Sequence, residues 1–243
     1  MPTCFIEPNG FGAMYQAMLY GFAECLRHGL AYHHTPLRNI HHKANQARAN
    51  QLIGFLSYDI ATPSTERIEY TKELYSTPID DLFNGAVLSV IHSEYGRNWK
   101  PVNPYRTLDT SYVAVHIRRG DVNASKHPDR FISLNQYIVW VEQLHTIYPS
   151  HQILILSEGK TEDFTDLPHY VRLHLGGDPL ATFNIMVEAD VLFPARSSFS
   201  FTAGILNKGI VYCDAYAKAW YHTPSKNWLD LKSQVARCGL RPA

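Results

Sequence analysis

Residues 109–243 predict an α/β half built on a doubly wound parallel sheet, and residues 1–108 a second, less regular α/β half. Three observations carry that division. Beyond Ser111, β-rich runs alternate with helical patterns about every 20 residues. One of those runs, Gln152-Ile-Leu-Ile-Leu156, is continuously apolar after its first residue, as a strand covered on both faces requires. Residues 98–110 carry Pro101 and Pro104 and no hydrophobic period, which reads as a linker.

The elements follow in order. Residues 3–6 form a strand that runs into the loop Glu7-Pro-Asn-Gly-Phe-Gly12. Met14, Met18, Phe22 and Cys25 or Leu26 recur at helical spacing, so a helix comes next, and Gly29 ends it. Residues 30–33 are a candidate second strand, and 61–84 read as two short helices. In the second half the expected strands are 112–116, 152–156, 171–174, 191–193 and 209–212. Helices are expected at 134–148, at 179–189 and after Ser198, with a last one at about 225–237. Right-handed crossovers would put every strand C-terminus on one edge of the sheet, the edge where ligands bind.

Composition narrows the function classes. A chain of 243 residues removes roughly 70–75% of its extended surface from water on folding, enough for a real core. Its 45% hydrophobic and 12% aromatic content excludes a disordered chain. Lys plus Arg and Asp plus Glu each number 22, and a net charge of zero argues against a nucleic-acid binder that uses its whole surface. No apolar run nears the ~20 residues of a membrane helix. Residues 1–10 lack the basic cap and apolar stretch of a leader, so none is expected. Cys4, Cys25, Cys213 and Cys238 lie far apart without a Cys-x-x-Cys spacing; free thiols in a reducing compartment are expected, with one disulfide as the alternative. The expected location is therefore the cytoplasm, with neither nucleic acid nor a membrane span among the partners.

The sharpest motif is Val113-Ala-Val-His-Ile-Arg-Arg-Gly-Asp121. A strand ends and delivers two arginines, a glycine and an aspartate to the following loop. A guanidinium fork matches phosphate oxygens in pairs and keeps its charge at any relevant pH. Read on residues alone, the loop is either an anion site or a surface turn with an arginine–carboxylate pair. In Ala189-Asp-Val-Leu-Phe-Pro-Ala-Arg-Ser-Ser-Phe-Ser200, a strand runs into three hydroxyls and a helix start. Ser197 or Ser198 can cap that helix, whose free N–H groups and dipole attract anions. In a doubly wound sheet this helix start would face the same crevice as Arg118 and Arg119. Asn9-Gly-Phe-Gly-Ala-Met-Tyr-Gln16 is a further glycine-rich turn without the full dinucleotide fingerprint.

Other chemistries find no support. His28, His33, His34, His41 and His42 are dense but lack metal-ligand spacing and cysteine partners, so they read as polar surface or substrate contacts, and no metal is expected. There is no Gly-x-Ser-x-Gly elbow, no Gly-x-x-x-x-Gly-Lys-Ser/Thr loop and no Asp-x-Asp pair.

His116-Ile-Arg-Arg-Gly-Asp121 resembles the His-x-Arg-Arg-x-Asp motif of the fucosyltransferase superfamily that includes the α1,2/α1,6-type and protein O-fucosyltransferases. Ser197-Ser-Phe-Ser200, about eighty residues later, is similar to its late serine motif, and Gly10-Phe-Gly12 with Gln16 to its N-terminal glycine loop. The resemblance implies a compact GT-B-like fold of two Rossmann-like halves, an acceptor-side half at 1–108 and a nucleotide-sugar-binding half at 109–243. It implies an inverting, metal-independent transfer of L-fucose from GDP-fucose to a glycan hydroxyl, with no cofactor beyond the nucleotide-sugar donor. Arg118 would bind the donor diphosphate, and Arg119 would support it or add a second contact. His116 and Phe199 would line the nucleotide pocket, Ser197 and Ser198 would hold phosphate, and Gly10, Gly12 and Thr182 would complete the donor site.

Three positions depart from the pattern. Family members of the α1,6 type carry a glutamate five residues after the motif's aspartate, here Lys126. The acidic pair after the middle strand is only Glu158-Gly159. The acidic residue that reads guanine is Thr182, with Asp178 nearby. The general base therefore stays open among Asp129, Asp121, His127 and Glu24, with Asp121 and Asp129 as the leading catalytic carboxylates. The alternatives are a same-fold transferase with another donor, such as UDP-xylose, and a catalytically silent nucleotide- or glycan-binding module. Tyr15, Tyr32 and Tyr58 are either platforms for sugar stacking or core residues.

Overall fold

The structure, a computed structural model, describes residues 3–4, 9–29, 32, 50, 52, 67–68, 77–97, 100–107, 110–216 and 225–238. The chain divides into a first unit, Met1–Trp99 with Tyr221–Ser225, and a second, Lys100–Trp220 with Lys226–Ala243. The division falls inside the 98–110 segment, so that Lys100 to Arg106 travel with the second unit.

In the first unit β1 (Thr3–Cys4) pairs in parallel with β2 (Arg67–Ile68). The helix expected after the glycine loop is α1 (Phe11–Arg27). Gly10 precedes it in extended backbone, and the Asn9 side chain accepts the Gly10 N–H at 2.8 Å. Met14, Tyr15, Met18, Leu19 and Tyr20 are all buried, so α1 is apolar over more than one stripe. The two short helices expected at 61–84 need correction. Arg67–Ile68 is a strand, α2 (Ile79–Leu82) is a single turn, and the rest of 61–76 lies outside the described residues. Asn84 does not end a helix; its side chain accepts the N–H groups of Ala86 and Val87 at 3.1 Å and so starts α3 (Gly85–Arg97). Val87, Ile91 and Tyr95, at helical spacing, are its buried face. The strand expected at 30–33, and Phe5 and Ile6 of the first strand, lie outside the described residues.

The second unit is the doubly wound half. Its elements are β3 (Tyr112–Ile117), α4 (Leu134–Ile147), β4 (Gln152–Ser157), β5 (Val171–Leu175), α5 (Pro179–Val187), β6 (Val191–Phe193), α6 (Ser198–Leu206), β7 (Ile210–Val211) and α7 (Leu231–Arg237). All five strands are parallel, in the order β5-β4-β3-β6-β7. The chain winds outward from β3 to β5, then restarts beside β3 with β6, so the winding reverses between β3 and β6. In such sheets that reversal opens a crevice at the strand C-termini.

Alternation along β3 decides what faces each layer. Val113, Val115 and Ile117, with Ile153 and Ile155, pack on Tyr137, Val141 and Leu144 of α4 and on Leu231 and Val235 of α7. Each such side chain contributes about 1.5–3 kcal/mol by leaving water. The alternate residues, Ala114 and His116, point to the opposite face. There α5 and α6 pack together, and the His116 ring meets Phe199.

Caps explain where these helices begin. Ser133 accepts the Gln136 N–H at 3.3 Å, Asp178 those of Leu180 and Ala181 at 2.9 and 3.1 Å, and Ser197 that of Phe199 at 3.3 Å. The last helix begins at Leu231 rather than near Ser225. Leu229 bonds to the backbone of Val211 and Cys213 at 2.8 and 2.9 Å, extending the sheet edge, and Asp230 then caps α7 through Ser233. The expected helix at 179–189 stops at Val187, and the strand at 209–212 contracts to Ile210–Val211. Among the described residues no helix is long and apolar enough to cross a membrane.

Candidate functional site

Central strand β3 ends at Ile117, and the next four residues form a loop at the strand C-termini. Gly120 adopts φ +73°, where an L side chain is strained, and the exposed Glu158 carboxylate after β4 lies against it. The Arg118 guanidinium forms an ion pair with Asp121 at 2.6 Å. Arg119 points elsewhere. Its Nη1 donates to the Arg118 carbonyl at 2.9 Å and its Nη2 to the Ile132 carbonyl at 3.0 Å, with the Phe131 ring 4.7 Å away. Burial lowers the Arg119 pKa from its ordinary value. The group closes the base of the 118–132 loop from inside.

His116, the last inward residue of that face, is 5% exposed, and among the described residues its Nδ1 has no hydrogen-bond partner. Burial first, and the charge of Arg118 second, push the imidazole pKa down to about 3, so the ring is neutral at pH 7. A buried ring nitrogen without a partner costs about 1–3 kcal/mol, which a ligand donor or acceptor would recover.

The second loop leaves β6, the direct neighbour of β3 (Val115 opposite Phe193). Ser200 fastens it: the Ser200 Oγ accepts the Ala195 N–H at 3.1 Å and lies 3.2 Å from the Ala195 carbonyl. Ser197 caps α6 in extended backbone, and Ser198 opens the helix, half-buried. The Phe199 ring stands between His116 at 5.7 Å and Phe183 of α5 at 5.5 Å. The arginine loop and the serine loop thus leave adjacent strands on one edge of the sheet, in contact through His116 and Phe199. A half-buried helix start, a guanidinium and a buried imidazole together suit a multiply charged anion.

The remaining expected residues divide. Thr182 on α5 lies 3.5 Å from His174 Nε2, and His174 Nδ1 lies 3.0 Å from the Tyr105 hydroxyl. Burial lowers the His174 pKa. The carboxylate of Asp178 is engaged as the α5 cap. Asp129 is exposed, 4.0 Å from the Arg130 guanidinium; Lys126 is exposed on the same loop, and His127 is half-buried there. In the first unit, Glu24 pairs with Arg27 at 3.0 Å and His28 at 3.1 Å, and Gly10 and Gly12 stand at the start of α1. Tyr15 is fully buried, and the Tyr32 ring meets Phe22 at 5.4 Å. Tyr58, His33, His34, His41 and His42 lie outside the described residues. Cys25, Cys213 and Cys238 are free thiols.

No family model and no curated protein matches the chain. Among solved structures, the fucosyltransferase NodZ from Bradyrhizobium is similar at 9% identity and a TM-score of 0.44, over 85% of this chain and 93% of that one. The E. coli heptosyltransferase WaaC with ADP is similar at 8% identity and a TM-score of 0.46, over 98% of this chain and 99% of that one. The Thermosulfurimonas dismutans KpsC β-Kdo 2,4 transferase is similar at 13% identity and a TM-score of 0.39, over 93% and 84%. Likeness with TM-scores below 0.5 does not fix an activity for this chain.

The partners of two residues at the site edge were not given by the sequence. Glu158 stands out there only as the lone acid of Glu158-Gly159, and the parallel register of β3 and β4 brings it to Gly120. Arg196 is visible as a charge before the serines, but its partners, the carbonyls of Ala215 at 2.6 Å and Asp129 at 3.0 Å, are distant in sequence.

Proposed function

We propose that the chain is an inverting, metal-independent glycosyltransferase, moving a sugar from a nucleotide-sugar donor, GDP-fucose first, to a glycan hydroxyl. The observation that carries this reading is the convergence of the arginine loop and the serine loop at the reversal of the sheet, joined by His116 and Phe199. Together with the His-x-Arg-Arg-x-Asp and serine motifs, it supports a GT-B-type donor half. In the proposed reaction the acceptor oxygen bonds to the anomeric carbon as the bond from that carbon to the phosphate oxygen breaks. The electron pair leaves with the diphosphate, and the hydroxyl proton passes to a base. Arg118 and the N–H groups at the start of α6 would stabilise the growing negative charge more than the ground state. The oxocarbenium-like carbon needs only modest help from a base. Asp129 is our choice for it, because its carboxylate is exposed whereas that of Asp121 is engaged with Arg118.

The test is turnover with a panel of GDP- and UDP-sugars, with and without a chelator. Transfer from GDP-fucose that survives chelation is expected, and Arg118→Ala should lower it roughly 10²–10³-fold. No turnover with any donor, and unchanged binding in Arg118→Ala, would overturn the reading. The presence of Lys126 and the engagement of Asp121 favour one second reading, a silent binding module. It predicts GDP binding without transfer to any acceptor.

A further inference from the structure

We propose that Arg196 is a positioning residue: it fixes the serine loop against the segments that follow β3 and β7, and so sets the spacing of the anion pocket. This rests on the reading above only in so far as that pocket takes a diphosphate. Arg196 directly precedes Ser197, whose side chain caps α6. Its Nε donates to the Ala215 carbonyl at 2.6 Å and its Nη1 to the Asp129 carbonyl at 3.0 Å. One planar group therefore ties together three loops that leave the same sheet edge, after β3, β6 and β7. Arg119 already closes the base of the 118–132 loop through the Ile132 carbonyl, and Arg196 holds the same loop near its far end.

Both bonds go to neutral carbonyls, and among the described residues no carboxylate pairs with Arg196. The contact is thus geometric, and the positive charge stands two residues before the start of α6, with no carboxylate among the described residues to offset it. A lysine keeps that charge but has no fork to span two carbonyls at fixed directions. Removing the tie frees Ser197 and Ser198 to shift relative to Arg118. A shift of about 1 Å is enough to cost roughly a hundredfold where two groups must grip one ligand.

The experiment uses the full chain with Arg196→Lys and Arg196→Gln, and inorganic pyrophosphate as the probe, titrated calorimetrically beside orthophosphate. Both variants should weaken pyrophosphate binding by roughly ten- to hundredfold and orthophosphate much less, because a single phosphate does not span the pocket. Amide exchange should quicken at Phe131, whose N–H bonds to the His127 carbonyl, and stay unchanged in β3 and β4. A general loss of structure would weaken both anions alike and quicken the strands too. If Arg196→Gln fails to fold, Arg196→Lys, which retains one bond, decides. Wild-type affinity in Arg196→Lys would overturn the proposal, since charge alone would then suffice; so would a wild-type chain that does not bind pyrophosphate. A chain that binds pyrophosphate in an Arg196-dependent way but transfers from no sugar donor supports the positioning role and defeats the transferase reading.

Discussion

The adjacent arginines 118 and 119 have the same chemistry and opposite surroundings. Arg119 gives up water on burial and regains two carbonyl oxygens and the face of Phe131 in exchange. Arg119→Ala leaves the Ile132 carbonyl without its donor and opens a gap beside Tyr137, so it should destabilise the chain by about 1–3 kcal/mol. A lower urea midpoint at an unchanged slope is the expected readout. Arg118 holds a partly exposed ion pair with Asp121, worth about 1 kcal/mol or less. Arg118→Ala should therefore leave the midpoint nearly unmoved while abolishing most anion binding. Equal midpoint losses in the two variants would contradict the proposed division of labour, in which Arg119 shapes the loop and Arg118 would meet the ligand.

At the scale of elements, α6 is where local sequence and site coincide. Ser197→Ala removes the cap of a nine-residue helix, at about 1 kcal/mol, while Ser197→Gly should cost only a few tenths. Both midpoints are measurable in thermal or urea unfolding, and an unchanged midpoint in Ser197→Ala would show that the hydroxyl is not the capping group. Elements such as this one were legible because their signals are local: Ser197 precedes a helix start, residues 134–148 carry a helical period, and the four apolar residues 153–156 fit a strand covered on both faces. The pairing of β1 with Arg67–Ile68 was not legible, since two residues carry no period. Leu229 looked helical by its neighbours, but its N–H and carbonyl are taken by the edge of the sheet, which no window of local sequence contains. The site divides in the same way. Arg118, Ser197 and His116 stand on motifs, whereas Glu158 and the partners of Arg196 are brought in by the register and order of the strands.

Over the whole molecule, buried His116 and half-buried Asp214 set opposing slopes of stability with pH. The folded chain keeps His116 neutral down to about pH 3, whereas an unfolded imidazole takes a proton near 6.5. Below 6.5 the unfolded chain thus binds more protons, and this contribution to stability falls as the pH drops toward 3, by at most roughly 5 kcal/mol. Asp214, after β7, accepts the Leu231 N–H with both oxygens, yet burial foremost raises its pKa to about 6, against 3.8 unfolded. Between those values the folded chain holds the extra proton, so this contribution falls as the pH rises, by at most roughly 3 kcal/mol. The two slopes oppose each other between about pH 4 and pH 6, and His174, whose pKa burial also lowers, adds to the histidine side. Asp214→Asn, which retains an acceptor for Leu231, should unmask the histidine slope and gain stability with rising pH across that window, relative to the parent chain. His116→Gln should do the reverse, losing stability from pH 4 to pH 6. Urea midpoints at pH 4, 5, 6 and 7 distinguish the cases, and an Asp214→Asn profile parallel to that of the parent would rule out Asp214 as one of the two opposing groups.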